Sequence, residues 1–277
     1  VTFNLDANPY PLANDVIVAE SGGDDATLRI SGGTLASGPG SIGFFPFSDG
    51  RVVVNGASSA WDVTGTLSVG EFGDGVLDIT GGGSVAADSA SLALSGGVTS
   101  TATVSGANST WDIDGNLTVG EFATGILNVL SGGQVTASDL AFGSLPGSTG
   151  NATITGTNSK LTSTGLIAFG DFGNSDVSVS GGAKIESVGA SIGFDGTGIV
   201  SLSGGTTDWT NTGDLTVADF GNGTLNISGG ATVSNTTAVV AGSENSTASV
   251  LVENTGSKWT TTGNLSVGGT MIAAGGQ

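Results

Sequence analysis

The sequence predicts an all-β fold, a right-handed parallel β-helix (β-solenoid) of about 10–11 coils, with three strands in each coil of ~25 residues. Three observations carry this. The stretch SAWDVTGTLSVGEFGDG at 59–75 returns as STWDIDGNLTVGEFATG at 109–125. The 277 residues include 51 glycines and 5 prolines and are only 10% charged, which suits many tight turns rather than helices. Short segments alternate apolar and polar residues with period two between Gly, Asn, Asp, Ser and Thr clusters, the pattern of half-buried strands.

The repeat is a double coil of about 50 residues. Trp61, Trp111, Leu161, Trp209 and Trp259 mark one half at spacings of 50, 50, 48 and 50. The aliphatic residue after each Gly-rich turn (SGGTL, GGGSV, SGGQV, GGAKI, GGATV) marks the other half, at Leu35, Val85, Val135, Ile185 and Val233. Interleaved, the ten markers step by 24 or 26 residues. In each coil the first strand carries an apolar pair such as Leu77/Ile79, the second carries the marker, and the third carries a pair such as Leu67/Val69.

Units this short have no room for helices or Greek-key connections, so each strand must pair with its copy one coil later. Right-handed winding follows from the crossover preference of parallel strands. At ~4.8 Å per strand the rod is on the order of 50 Å long. The ten markers then form an inward core ladder, and Asp62, Asp112, Thr210 and Thr260 beside them face outward. Each buried Trp removes about 150–250 Å² from water, worth roughly 4–6 kcal/mol before entropy. Gly56, Gly106, Gly156, Gly204 and Asn254, five residues before their markers, are expected at corners that need positive φ.

Composition also removes chemistry. A net charge of −19 with 5 Lys+Arg repels nucleic acid and anionic lipid, and no apolar run is long enough to insert into a membrane. Without cysteine or histidine there are no disulfides, thiolates or imidazole bases, and the commonest zinc ligands are missing. The adjacent acids Asp24 and Asp25 and the five basic residues Arg29, Arg51, Lys160, Lys184 and Lys258 read as solvated turns rather than as a converging acid–base site.

One acidic-aromatic pair recurs after the third strand: Glu71-Phe72, Glu121-Phe122, Asp171-Phe172 and Asp219-Phe220. Its copies lie two coils apart, about 9–10 Å, too far for a carboxyl dyad or a shared ion. It reads as a surface stripe, in which the phenyl rings either cover the corner of the core or belong to an outer contact surface. No cofactor is expected. Calcium held with turn carbonyls is a lesser possibility, since neither an EF-hand loop nor a calcium-binding nonapeptide recurs.

The unit TVSGANSTWDIDGNLTVGEFATGILNVLSGGQVTASDLAFGS, with its Gly-x-x-S-x-W, L-x-V-G and S-G-G elements, resembles the repeat associated with type V secretion (autotransporter) passengers and PEP-CTERM proteins of Gram-negative bacteria. The resemblance covers roughly residues 16–277, and Leu161 departs from it where Trp is expected. It implies an exported cell-surface or matrix β-helix with structural or adhesive duties.

Residues 16–277 are therefore expected to form one solenoid, and 1–15, with Pro9 and Pro11, a capping or linking extension. The segment GNLSVGGTMIAAGGQ stops in mid-coil, which suggests processing from a longer chain or end-to-end stacking into fibres. The expected function is a non-catalytic extracellular structural or adhesive module, with self-association or surface glycans as partners. The alternative is a polysaccharide-binding or polysaccharide-degrading β-helix, gripping sugars through outward Thr, Asn and Asp ladders.

Overall fold

The computed structural model describes residues 14–268 and the backbone of 10–11. It is an all-β solenoid of about ten coils, consistent with right-handed winding, and no helix occurs among the described residues. Every strand pairing in it is parallel and links a strand to its copy one coil away.

Three faces enclose the core. The first is a ten-stranded sheet running from Asp25–Ile30 to Thr247–Val252. The second carries the markers, and the third is a narrow strip of strands such as Leu117–Val119 and Leu140–Phe142. The second and third faces belong to one sheet, because Ala60–Val69 and Ser84–Leu92 run continuously across the bend between them. The bend is absorbed by a register shift between Val63 and Thr66, with Gly65 at φ 116°.

On the second face Leu35 pairs with Trp61, Trp61 with Val85, Val85 with Trp111, and so on through Val135, Leu161, Ile185, Trp209 and Val233 to Trp259. Trp61, Trp111, Leu161 and Trp209 are fully buried, whereas Trp259 in the last described coil is half-buried. Phe142 and Phe169 stack at 5.3 Å beneath the third face, and Phe169 meets the edge of Trp209 at 5.6 Å.

The corners explain the turn residues. Gly56, Gly106, Gly156, Gly204 and Asn254 have φ of 104°, 95°, 99°, 101° and 70°. The serine of the Gly-x-x-S-x-W element is a buried clamp. Ser109 Oγ accepts the Gly82 N–H of the previous coil (3.0 Å) and donates to Ser105 O (2.8 Å). Ser59, Ser159 and Thr207 make the same pair of bonds. Each hydroxyl satisfies backbone groups that the turns would otherwise leave buried and unpaired.

Of the N-terminal segment, Tyr10–Pro11 pair with Leu35–Ala36 in parallel register, so the backbone there already occupies a marker-strand position. The rest of 1–13 and the expected mid-coil stop after residue 268 lie outside the described residues.

Candidate functional site

The corner between the third face and the first is the most differentiated part of the surface. Every third strand ends in a residue with positive φ, such as Gly70 and Gly120. A Cβ on Gly120 would sit 2.1 Å from Thr149 O, so the corner is drawn tight against the next strand. Two corner lengths follow. In short corners, such as 70–73, 120–123, 170–173 and 218–221, the acidic-aromatic pair comes next. In long corners, 43–48, 93–98, 143–148 and 241–246, two more residues bulge outward.

The four phenyl rings of the stripe lie outside the core. Phe72, Phe122, Phe172 and Phe220 are 43–56% exposed. The structure adds a ring that the two-coil period conceals: Phe194 stands edge-on between Phe172 and Phe220, with centroids 5.7 Å from each. It was missed because its corner reads Phe194-Asp195, the reverse of the Asp-Phe order on either side. The two-residue shortening of that corner relative to the other intermediate coils was the available signal. At the N-terminal end Phe44 meets Phe72 edge-on at 6.3 Å.

The acidic members divide by side-chain length. Ser41 Oγ donates to Glu71 Oε2 (2.7 Å) and Ser91 Oγ to Glu121 Oε2, so both glutamates fold back over the third face. Asp171 has Ala141 where a serine would stand. Asp219 has Ser191 in that place, yet no bond joins them, and Ser191 Oγ is buried without a partner. An aspartate is one methylene too short for this reach. Burial accordingly raises the carboxyls of Asp171 and Asp219 above their ordinary 3.8.

Among the described residues no cluster of three acids, histidines or cysteines could hold a metal ion. Asp24 Oδ2 accepts the Ser21 N–H (3.0 Å) within a turn, and Asp25 opens the first strand of its face.

The basic residues correct the solvated-turn reading: Arg29, Arg51, Lys160, Lys184 and Lys258 all project from strands. Two of them meet acids one coil on, Arg51 with Asp78 and Lys160 with Glu186, each at 2.6 Å. Counting by the repeat misses these because each pair is diagonal: Lys160 lies in register with Lys184 and Arg51 with Val76, and the acid stands two positions further on. Lys160, Lys184 and Glu186 line an open polar groove of ≈ 710 Å³ at the entrance to the second face. A smaller groove of ≈ 430 Å³ lies over Phe72, between the long corners 43–48 and 93–98.

No helix among the described residues is long and apolar enough to cross a membrane. Compared with known proteins, the chain matches no family model, no curated protein and no solved structure.

Proposed function

We propose that the chain is a non-catalytic structural or adhesive β-solenoid of a bacterial surface or extracellular matrix. The observation that carries this reading is how the acidic-aromatic stripe is used. Its glutamates are tied into the wall by Ser41 and Ser91, while its rings project along one edge of the rod. A glutamate that accepts a hydroxyl from the wall strand of the preceding coil is used as a fixed structural acceptor. A row of half-exposed rings on a rigid, acidic rod suits contact with another surface. The resemblance of the repeat to autotransporter and PEP-CTERM-associated passengers supports export, and end-to-end association of rods belongs to the same reading.

The test is adhesion without turnover. Beads coated with the protein should bind bacterial cells or extracted matrix while releasing no new reducing ends from polysaccharides. Release of reducing ends that disappears in Asp24→Asn or Asp25→Asn would overturn the reading in favour of a polysaccharide-degrading enzyme.

A further inference from the structure

Phe47 breaks the local rule of its own loop. In the long corners the residue five positions after the end of the third strand adopts positive φ, and it is Gly97 (87°), Gly147 (86°) and Asn245 (70°) in three of them. Gly23 holds the corresponding place in the first described coil, at 82°. Phe47 has φ 63° at this position and is 92% exposed. Left-handed backbone is unfavourable for a bulky side chain, and here the ring recovers nothing by burial. A strained residue that its neighbours replace with glycine points to a role other than folding.

The ring stands at the edge of the groove whose other aromatic wall is Phe72. Asp49 and Asp74 line the same groove, and the open side is formed by the Cβ-less Gly96 and Gly97. Asp74 Oδ1 accepts the Thr99 N–H (2.7 Å), which holds that carboxylate in place. A carboxylate has further acceptor sites, so one bond to the backbone leaves capacity for incoming hydroxyls. Two phenyl rings and two acceptor carboxylates in an open cleft match the alternating apolar C–H faces and hydroxyl rims of a pyranose.

We infer that this groove is a saccharide-binding subsite for an uncharged hexose polymer. The inference rests on the adhesive reading and names the class of partner. Net charge of −19 and the local carboxylates disfavour polyuronates and other anionic glycans. A peptide added as an extra strand has no purchase here, since the wall strands flanking the groove already pair on both sides along the rod axis.

Affinity electrophoresis of the whole chain decides this, in gels containing hydroxyethyl cellulose, mixed-linkage β-glucan or galactomannan, with polygalacturonate as the anionic comparison. The wild type should be retarded in at least one neutral gel and not by polygalacturonate. Phe47→Gly and Phe72→Ala should each weaken retardation at least tenfold, and Leu166→Ala, exposed elsewhere, should not. Phe47→Gly should also raise the urea midpoint, because glycine relieves the left-handed strain. A wild type that no neutral gel retards, or that only polygalacturonate retards, overturns the proposal. Retardation that survives in Phe47→Gly and Phe72→Ala overturns the site while leaving the adhesive reading intact. A lowered urea midpoint in Phe47→Gly shows that the ring is structural and overturns the strain argument. New reducing ends released from the gel polymer would instead refute the non-catalytic reading.

Discussion

Ala87→Ser should stabilise the protein. Trp61 Nε1 donates to Ser37 Oγ at 3.0 Å, Trp209 Nε1 to Ser187 Oγ at 3.1 Å, and Trp259 Nε1 to Asn235 Oδ1 at 2.7 Å. In every case the acceptor stands two residues beyond the marker of the preceding coil. For Trp111 that position is Ala87, and the indole N–H is buried without a partner. A buried unsatisfied donor costs about 1–3 kcal/mol, and a restored neutral hydrogen bond nets about 0.5–1.5 kcal/mol. The serine hydroxyl must itself be desolvated, since Ala87 is only 4% exposed, so the expected gain is about 1 kcal/mol. For a chain of this size that is a rise of about 2–4 °C in Tm. Urea and thermal unfolding of the wild type, Ala87→Ser, Trp111→Phe and the double variant form a cycle whose coupling should be about 1 kcal/mol. A destabilised Ala87→Ser, or an equal effect of the serine in the Trp111→Phe background, would refute the reasoning.

Trp209→Ala should cost about 3–5 kcal/mol, because it opens a cavity beside Phe169 and removes the indole donor to Ser187 Oγ, which keeps only its bond to Asn211 Oδ1; Trp259→Ala, at a half-buried site, should cost distinctly less in the same urea titration. Ser109→Ala removes the clamp between Gly82 N–H and Ser105 O and should cost about 1–3 kcal/mol, with faster amide exchange concentrated at the 81–83 turn. Asp171 and Asp219 have folded-state pKa values raised above 3.8 by burial, so folding is penalised when they are charged. Their penalty is present above the raised pKa and is relieved as pH falls through it towards 3.8. Asp171→Asn with Asp219→Asn should therefore stabilise the protein at pH 7 and make less difference below pH ~3.8, read by urea midpoints across the range. Asp219→Glu should reach Ser191 Oγ as Glu71 and Glu121 reach Ser41 and Ser91, bringing the carboxyl's titration, followed by NMR, back down.

The coil was legible because a solenoid turns sequence period into spatial neighbourhood. Parallel strands one winding apart pair by simple translation, so a marker that returns every 24 or 26 residues names its own contacts. Trp61 beside Val85 and Leu161 beside Ile185 follow from counting alone, as do inward apolar pairs and outward Asp62 and Asp112. The glycine corners were equally readable, since positive φ selects glycine or asparagine wherever it recurs.

The features that distinguish one coil from the next required three dimensions. Phe194 joins the aromatic row only because its corner is two residues shorter than the other intermediate ones, and Phe47 is conspicuous only once its φ is set beside those of Gly97 and Gly147. Whether a carboxylate reaches a serine depends on one methylene, and whether an indole N–H is satisfied depends on a single side chain one coil back. Translation along the chain specifies which backbones are adjacent. Side-chain reach across them is set by the length and chemistry of individual residues that the period does not encode.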